Sequence, residues 1–72
     1  MIEVRTSYIF DGTFVRDDIA HHAAGRISDF SGCGFCERDL GWVCKSEIEA
    51  ERIKRALDKI GMKATIRNDP KN

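Results

Sequence analysis

Cys33-Gly34-Phe35-Cys36 places two thiols three positions apart, and Cys44 adds a third farther along the chain. A C-x-x-C pair can hold zinc or cycle as a dithiol. Zinc takes four ligands, usually from two such pairs or from one pair with regularly spaced histidines. Here one pair, one further thiol and a His21-His22 doublet are present, so the fullest set is Cys33, Cys36, Cys44 and His22. Cys33 and Cys36 stand at an odd separation, and extended chain points them to opposite faces unless it bends at Gly34. Adjacent histidines on a helix point about 100° apart and do not chelate one ion together; one is expected to border the core and the other to face water. A redox dithiol profits from a helix N-terminus that lowers the thiol pKa, whereas this pair precedes an expected strand. The expectation is structural thiols, packed as small hydrophobes, with no metal and no cofactor.

Other chemistry is thinner still. Ser31 or a cysteine can be matched with His22 as nucleophile and base, but no local pattern supports the match. No glycine loop of the G-x-x-x-x-G-K kind is present to cradle phosphate. Asp11, Asp17 and Asp18 cluster near one expected helix start, where acidic groups complement the helix dipole. No catalytic residue is assigned, and the chain is read as a non-enzyme.

The elements that would position any site fit one domain spanning residues 1–72. Of its 72 residues 42% are hydrophobic and 33% charged, a globular rather than a disordered balance. Such a chain buries about 60% of its unfolded surface, and its core rarely supplies more than about 3–5 kcal/mol, so a partner, a metal or a second copy is an expected source of further stability. Lys plus Arg and Asp plus Glu are 12 each, which argues against a duplex-DNA binder and against nucleic acid as a partner generally. No apolar run approaches the roughly 18 residues of a membrane span. The start, MIEVRTSYIF, lacks the pattern of a signal peptide. Together with the odd thiol count, this points to the cytoplasm.

Residues 2–10 alternate as a strand, with Ile2, Val4, Thr6, Tyr8 and Phe10 on one face. Asp11-Gly12 ends it and leads into a helix. Ile19, Ala23, Ile27 and Phe30 predict a helix over 18–30 with those residues as its buried stripe; Gly25 inside it costs about 1 kcal/mol and marks a close approach. Residues 33–45 read as a hairpin whose loop is Asp39-Leu40-Gly41, with Gly41 left-handed. That register sets Cys36 opposite Cys44, and leaves open whether Trp42 with the cysteines or Phe35 with Val43 is buried. Ser46-Glu47-Ile48-Glu49 is a capping box in which Glu49 reaches back to the N–H of Ser46. It opens a helix with Ile53, Ala56, Leu57 and Ile60 buried, a Glu51–Arg55 pair outside and Gly61 as its stop. Met62, Ala64 and Ile66 then face inward from a last strand, and residues 69–72 are an expected frayed tail.

The order strand, helix, strand, strand, helix, strand predicts an α+β, ferredoxin-like βαββαβ sandwich: a four-stranded antiparallel sheet with two helices on one face. A well-punctuated fold without a convincing active site points to a protein-binding module, a small inhibitor or adaptor that docks on a larger protein. Arg38, Asp39 and Trp42, at the expected hairpin tip, are its candidate partner-binding residues, because Arg and aromatics are favoured anchors. Small viral inhibitors of host defence, anti-CRISPR proteins among them, are similar in size and fold class, an analogy that no diagnostic residue carries. The open sheet face is the other candidate docking surface. Two other readings stand beside the docking module: the thiol or zinc protein using Cys33, Cys36 and Cys44, and a single-stranded RNA-binding domain that uses the open sheet face and stacks bases on Tyr8, Phe10 and Trp42. Gly41-Trp42-Val43-Cys44-Lys45 only loosely resembles the basic and aromatic strand of such domains. An exposed second strand is also a route to a homodimer.

Overall fold

Ile2, Val4, Thr6 and Tyr8 line one face of the first strand, β1 (Ile2–Ile9), and Glu3, Arg5 and Ser7 the other, the alternation of a half-buried strand. The computed structural model describes residues 2–10, 12–31 and 37–68. It continues with α1 (Val15–Ala24), β2 (Asp29–Ser31), β3 (Glu37–Cys44), α2 (Glu47–Lys59) and β4 (Ala64–Asn68). The strands form one antiparallel sheet in the order β2-β3-β1-β4. With its two helices the chain is an α+β protein.

The register decides which face is buried. Val4 stands opposite Trp42, Thr6 opposite Leu40 and Tyr8 opposite Arg38, so the even-numbered residues of β1 and β3 share the helix side. Trp42, Leu40, Val4 and, from α2, Leu57 are the largest fully buried side chains. Ala20 and Ala24 of α1, Ala50 and Ile53 of α2, and Met62 and Ala64 complete the same core. The opposite sheet face carries Glu3, Arg5, Ser7, Asp39, Val43 and Thr65. Among the described residues no helix is long and apolar enough to cross a membrane.

Local sequence accounts for α2. Ser46 Oγ accepts from the N–H of Glu49 at 3.2 Å, and Glu49 Oε1 accepts from the N–H of Lys45 at 2.7 Å. The carboxylate therefore closes one residue earlier than the standard box, in which it meets the cap residue itself. Gly61 ends the helix at φ +84°, a conformation that costs L-residues about 1–2 kcal/mol. The i,i+4 ion pair on the wet side joins Lys54 to Asp58 at 2.9 Å rather than Glu51 to Arg55.

Three expectations need correction. The first helix stops at Ala24, because Gly25 adopts φ +99°. Its buried residues are Ala20 and Ala24, while Ile19 and Ala23 are exposed; Phe30 belongs to β2, paired with Leu40. The expected hairpin at 39–41 does not exist, since β3 runs unbroken from Glu37 to Cys44. Gly41 is extended and serves a close approach instead: a Cβ there would lie 2.7 Å from Arg5 Nη1, whose guanidinium is bonded to Glu3 of its own strand at 2.8 Å and reaches over β3 to Asp29 of β2 at 3.5 Å. Cys44 consequently faces Ile2 across the sheet and not another cysteine. Cys33 and Cys36, with Asp11 and the 69–72 tail, lie outside the described residues.

Candidate functional site

The densest polar arrangement is built where α1 begins above the sheet. Tyr8 of β1 and Arg38 of β3 are cross-strand partners on the helix side, and the first turn of α1 lowers Asp17 onto both. Tyr8 donates its hydroxyl to Asp17 Oδ1 at 2.5 Å. Arg38 donates from Nε and Nη2 to Asp17 Oδ2 at 3.0 and 2.6 Å. The Arg38 and Asp17 side chains are only 10% and 15% exposed, so the pair is largely desolvated and its hydrogen bonds are charge-assisted.

The electrostatics follow from that geometry. Burial alone would raise the Asp17 carboxyl, but the hydrogen bonds from Arg38 and Tyr8 outweigh it and hold the group below its ordinary value. Tyr8 is pushed up to about 12, by burial first and then by its bond to the Asp17 carboxylate. Arg38 is raised by the same carboxylate. Near neutral pH the trio therefore holds a fixed anion, a fixed cation and a neutral phenol. None of the three is tuned for proton transfer there; the arrangement is a clamp.

Two rings flank this clamp. The Arg38 guanidinium carbon lies 4.8 Å from the centroid of Phe14 and 4.9 Å from that of Phe30, within the range of cation–π attraction. Phe10 packs on Phe14 with centroids 4.9 Å apart. Yet Phe14 is 50% and Phe30 57% exposed. A groove of about 360 Å³ runs beside Phe30 between α1 and the start of β2, lined by Asp17, Asp18, His21, Arg26 and Ile27. Half-exposed aromatics over a buried ion pair leave apolar surface facing water.

The residues expected to bind a partner do not share a surface. Arg38 and Trp42 point to the helix side of β3 and Asp39 to the other. Trp42 is 2% exposed, and its indole donates to the Gly25 carbonyl at 2.9 Å, tying the end of α1 to the sheet. Asp39 sits with Arg5, Ser7 and Thr65 around a shallow depression of about 170 Å³ on the open face. The stacking residues of the RNA reading are likewise turned inward: Tyr8 and Trp42 are core. Among the described residues the open sheet face carries no aromatic ring.

The thiol reading retains Cys44, which is buried and free; burial, then Glu49, raises its pKa, the opposite of a reactive thiol. His21 and His22 are both exposed, so neither borders the core as expected. Among the described residues no group of three His, Cys, Asp or Glu side chains is placed to hold a metal.

Sequence reasoning assigns Asp17 to dipole chemistry, places Phe30 in a helix and does not single out Phe14. The available signal is an aromatic residue just ahead of an acidic helix start, at a position outside either apolar stripe. No family model, curated protein or solved structure matches the chain.

Proposed function

We propose that this chain is a non-catalytic protein-binding module, a small inhibitor or adaptor that docks on a larger protein through the edge formed by the start of α1 and by β2. The observation that carries the reading is the pair of half-exposed rings, Phe14 and Phe30, held on either side of the buried Arg38–Asp17 pair. Exposed apolar surface held in one conformation loses little entropy when a partner covers it, and aromatic side chains are favoured anchors of interfaces. Ile19, 45% exposed on α1, adds to the apolar surface of that helix.

The finer fold assignment belongs to the same proposal. A ferredoxin-like sandwich is supported by the strand order, which read from the other edge is β4-β1-β3-β2, by the antiparallel pairings, and by contacts of both helices with the even-numbered sheet face. A reducing, cytoplasmic setting is supported by the free thiol at Cys44.

The test is site-specific photo-crosslinking of the full chain in its own cells, with the photoreactive residue at Phe30 or, as control, at Thr65 on the open sheet face. The expected result is one discrete protein adduct from position 30, heavier than a self-dimer, lost when Phe14→Ser is added and absent from position 65. Adducts from position 65 alone, or to RNA rather than protein, would overturn the reading.

A further inference from the structure

The groove between the two helices carries an arrangement that the docking edge does not use. It is an open trough of about 770 Å³. Ala56 and Ile60 of α2, both half-buried, and Ala23 of α1 supply its apolar lining. Arg52, Arg55 and Lys59 stand along its α2 side, all exposed. Their spacing of three and four sets them on one stripe of the helix, about 10 Å long at about 1.5 Å of rise per residue.

Ordinary helix chemistry accounts for only part of that stripe. Lys59 sits in the last turn of α2, where a cation complements the helix dipole. Arg52 and Arg55 lie earlier in the helix, outside the reach of that effect. Among the described residues none of the three cations forms an ion pair. Glu51, one turn ahead of Arg55, does not line the groove. Asp58 does line it, but its carboxylate accepts from Lys54 at 2.9 Å, and that bond holds it below its ordinary pKa. The groove therefore carries three uncommitted cations and one carboxylate already countered. The excess is local, since Lys plus Arg and Asp plus Glu are 12 each over the chain.

An apolar trough edged by cations fits an occupant with the matching pattern. Carboxylates alone would leave the apolar lining uncovered, and a neutral apolar segment would desolvate cations without partners. A fatty acid brings one carboxylate to a stripe two turns long, and an open trough does not enclose its chain as small-molecule sites do. An amphipathic helix meets both demands, with its apolar face in the trough and carboxylates at helical spacing along the cations. The small side chains of Ala23 and Ala56 permit the approach of about 8–10 Å between axes that helix packing requires.

We propose that the groove between α1 and α2 binds an acidic amphipathic helix of a partner protein, its apolar face on Ala23, Ala56 and Ile60 and its carboxylates against Arg52, Arg55 and Lys59. This groove shares no lining residue with the one beside Phe30, and the inference does not depend on the docking role assigned to that edge.

Isothermal titration of the full chain with synthetic peptides tests the groove. The probe is a peptide of about four helical turns with leucine along one stripe and glutamate on both flanks. Its controls are the same composition scrambled and the same pattern with lysine in place of glutamate. The glutamate peptide should bind, less tightly as salt rises, and both controls should bind roughly tenfold more weakly or worse. The double variant Arg52→Glu, Arg55→Glu should weaken the glutamate peptide roughly tenfold or more and take up the lysine peptide instead. That gain also shows the double variant to be folded. Ala56→Glu, which sets a carboxylate in the apolar lining, should abolish binding of the glutamate peptide, whereas Phe30→Ser should leave it unchanged. A glutamate peptide that does not bind overturns the proposal. So does equal binding of the scrambled peptide, or binding lost in Phe30→Ser and kept in both groove variants. Tighter binding of phosphatidylglycerol vesicles or of a single-stranded oligonucleotide through Arg52 and Arg55 would likewise overturn it.

Discussion

The two helices reach the same core by different means. α2 begins on a capping box, buries Ala50, Ile53 and Leu57 on one stripe and ends on a left-handed glycine. Everything it needs is local in sequence. α1 begins at Phe14 with no side-chain cap and buries only Ala20 and Ala24, while Val15 and Ile19 stay exposed. It is held at its start by Asp17, bonded to Tyr8 and Arg38, and at its end by Trp42, bonded to the Gly25 carbonyl. A helix placed by long-range polar bonds need not turn every apolar residue inward. Its spare apolar side chains mark the surface on which the functional reading rests.

Breaking the clamp should have the largest effect. Arg38→Ala leaves the Asp17 carboxylate desolvated without its cation and should cost about 3 kcal/mol in urea denaturation, while removing the support under Phe14 and Phe30.

Titration sharpens the same contrast. Asp17 is held below its unfolded value, so its contribution is complete above about pH 3.9 and is lost as pH falls through the folded value. Tyr8 runs the other way. Its phenol is raised to about 12, so its contribution is complete below about pH 10 and is lost as pH rises toward the folded value. Stability measured against pH should fall at both ends; Tyr8→Phe should flatten the alkaline limb, and Arg38→Ala should flatten the acid limb.

On α2 the effects should be smaller and local. Ser46→Ala should cost about 1 kcal/mol by removing the cap. Lys54→Ala, which deletes an exposed i,i+4 pair, should cost less than the lost cap, and less still at high salt, both read from thermal melts.

The parts of the fold legible in sequence are those whose information is local: the alternation of β1, the capping box and stripe of α2, the Gly61 stop and the inward run Met62, Ala64, Ile66. The middle of the chain misleads because two structures there share one signature. Ile27 and Phe30 keep helical spacing with Ile19 and Ala23, but three residues of strand accommodate Phe30 equally well once Gly25 has ended the helix. Asp39-Leu40-Gly41 suits a turn, and glycine in a strand also serves close approach; here Arg5 occupies the space a side chain at Gly41 would take. That ambiguity carries the candidate site with it, since an expected loop tip groups Arg38, Asp39 and Trp42, which in fact lie along one strand and divide between its two faces. The clamp itself joins residues from three elements, β1, α1 and β3, and nothing in the local pattern around Asp17 distinguishes a helix-dipole carboxylate from one that spans to the sheet.

Hydrogen–deuterium exchange of the full-length chain, wild type against Arg38→Ala, measures the central contrast directly. If the clamp places α1, the amides of residues 18–24 and the adjoining β2 should exchange much faster in the variant, while residues 51–59 of α2 keep most of their protection. Equal loss of protection in both helices, or an α1 unchanged by the substitution, would contradict that account.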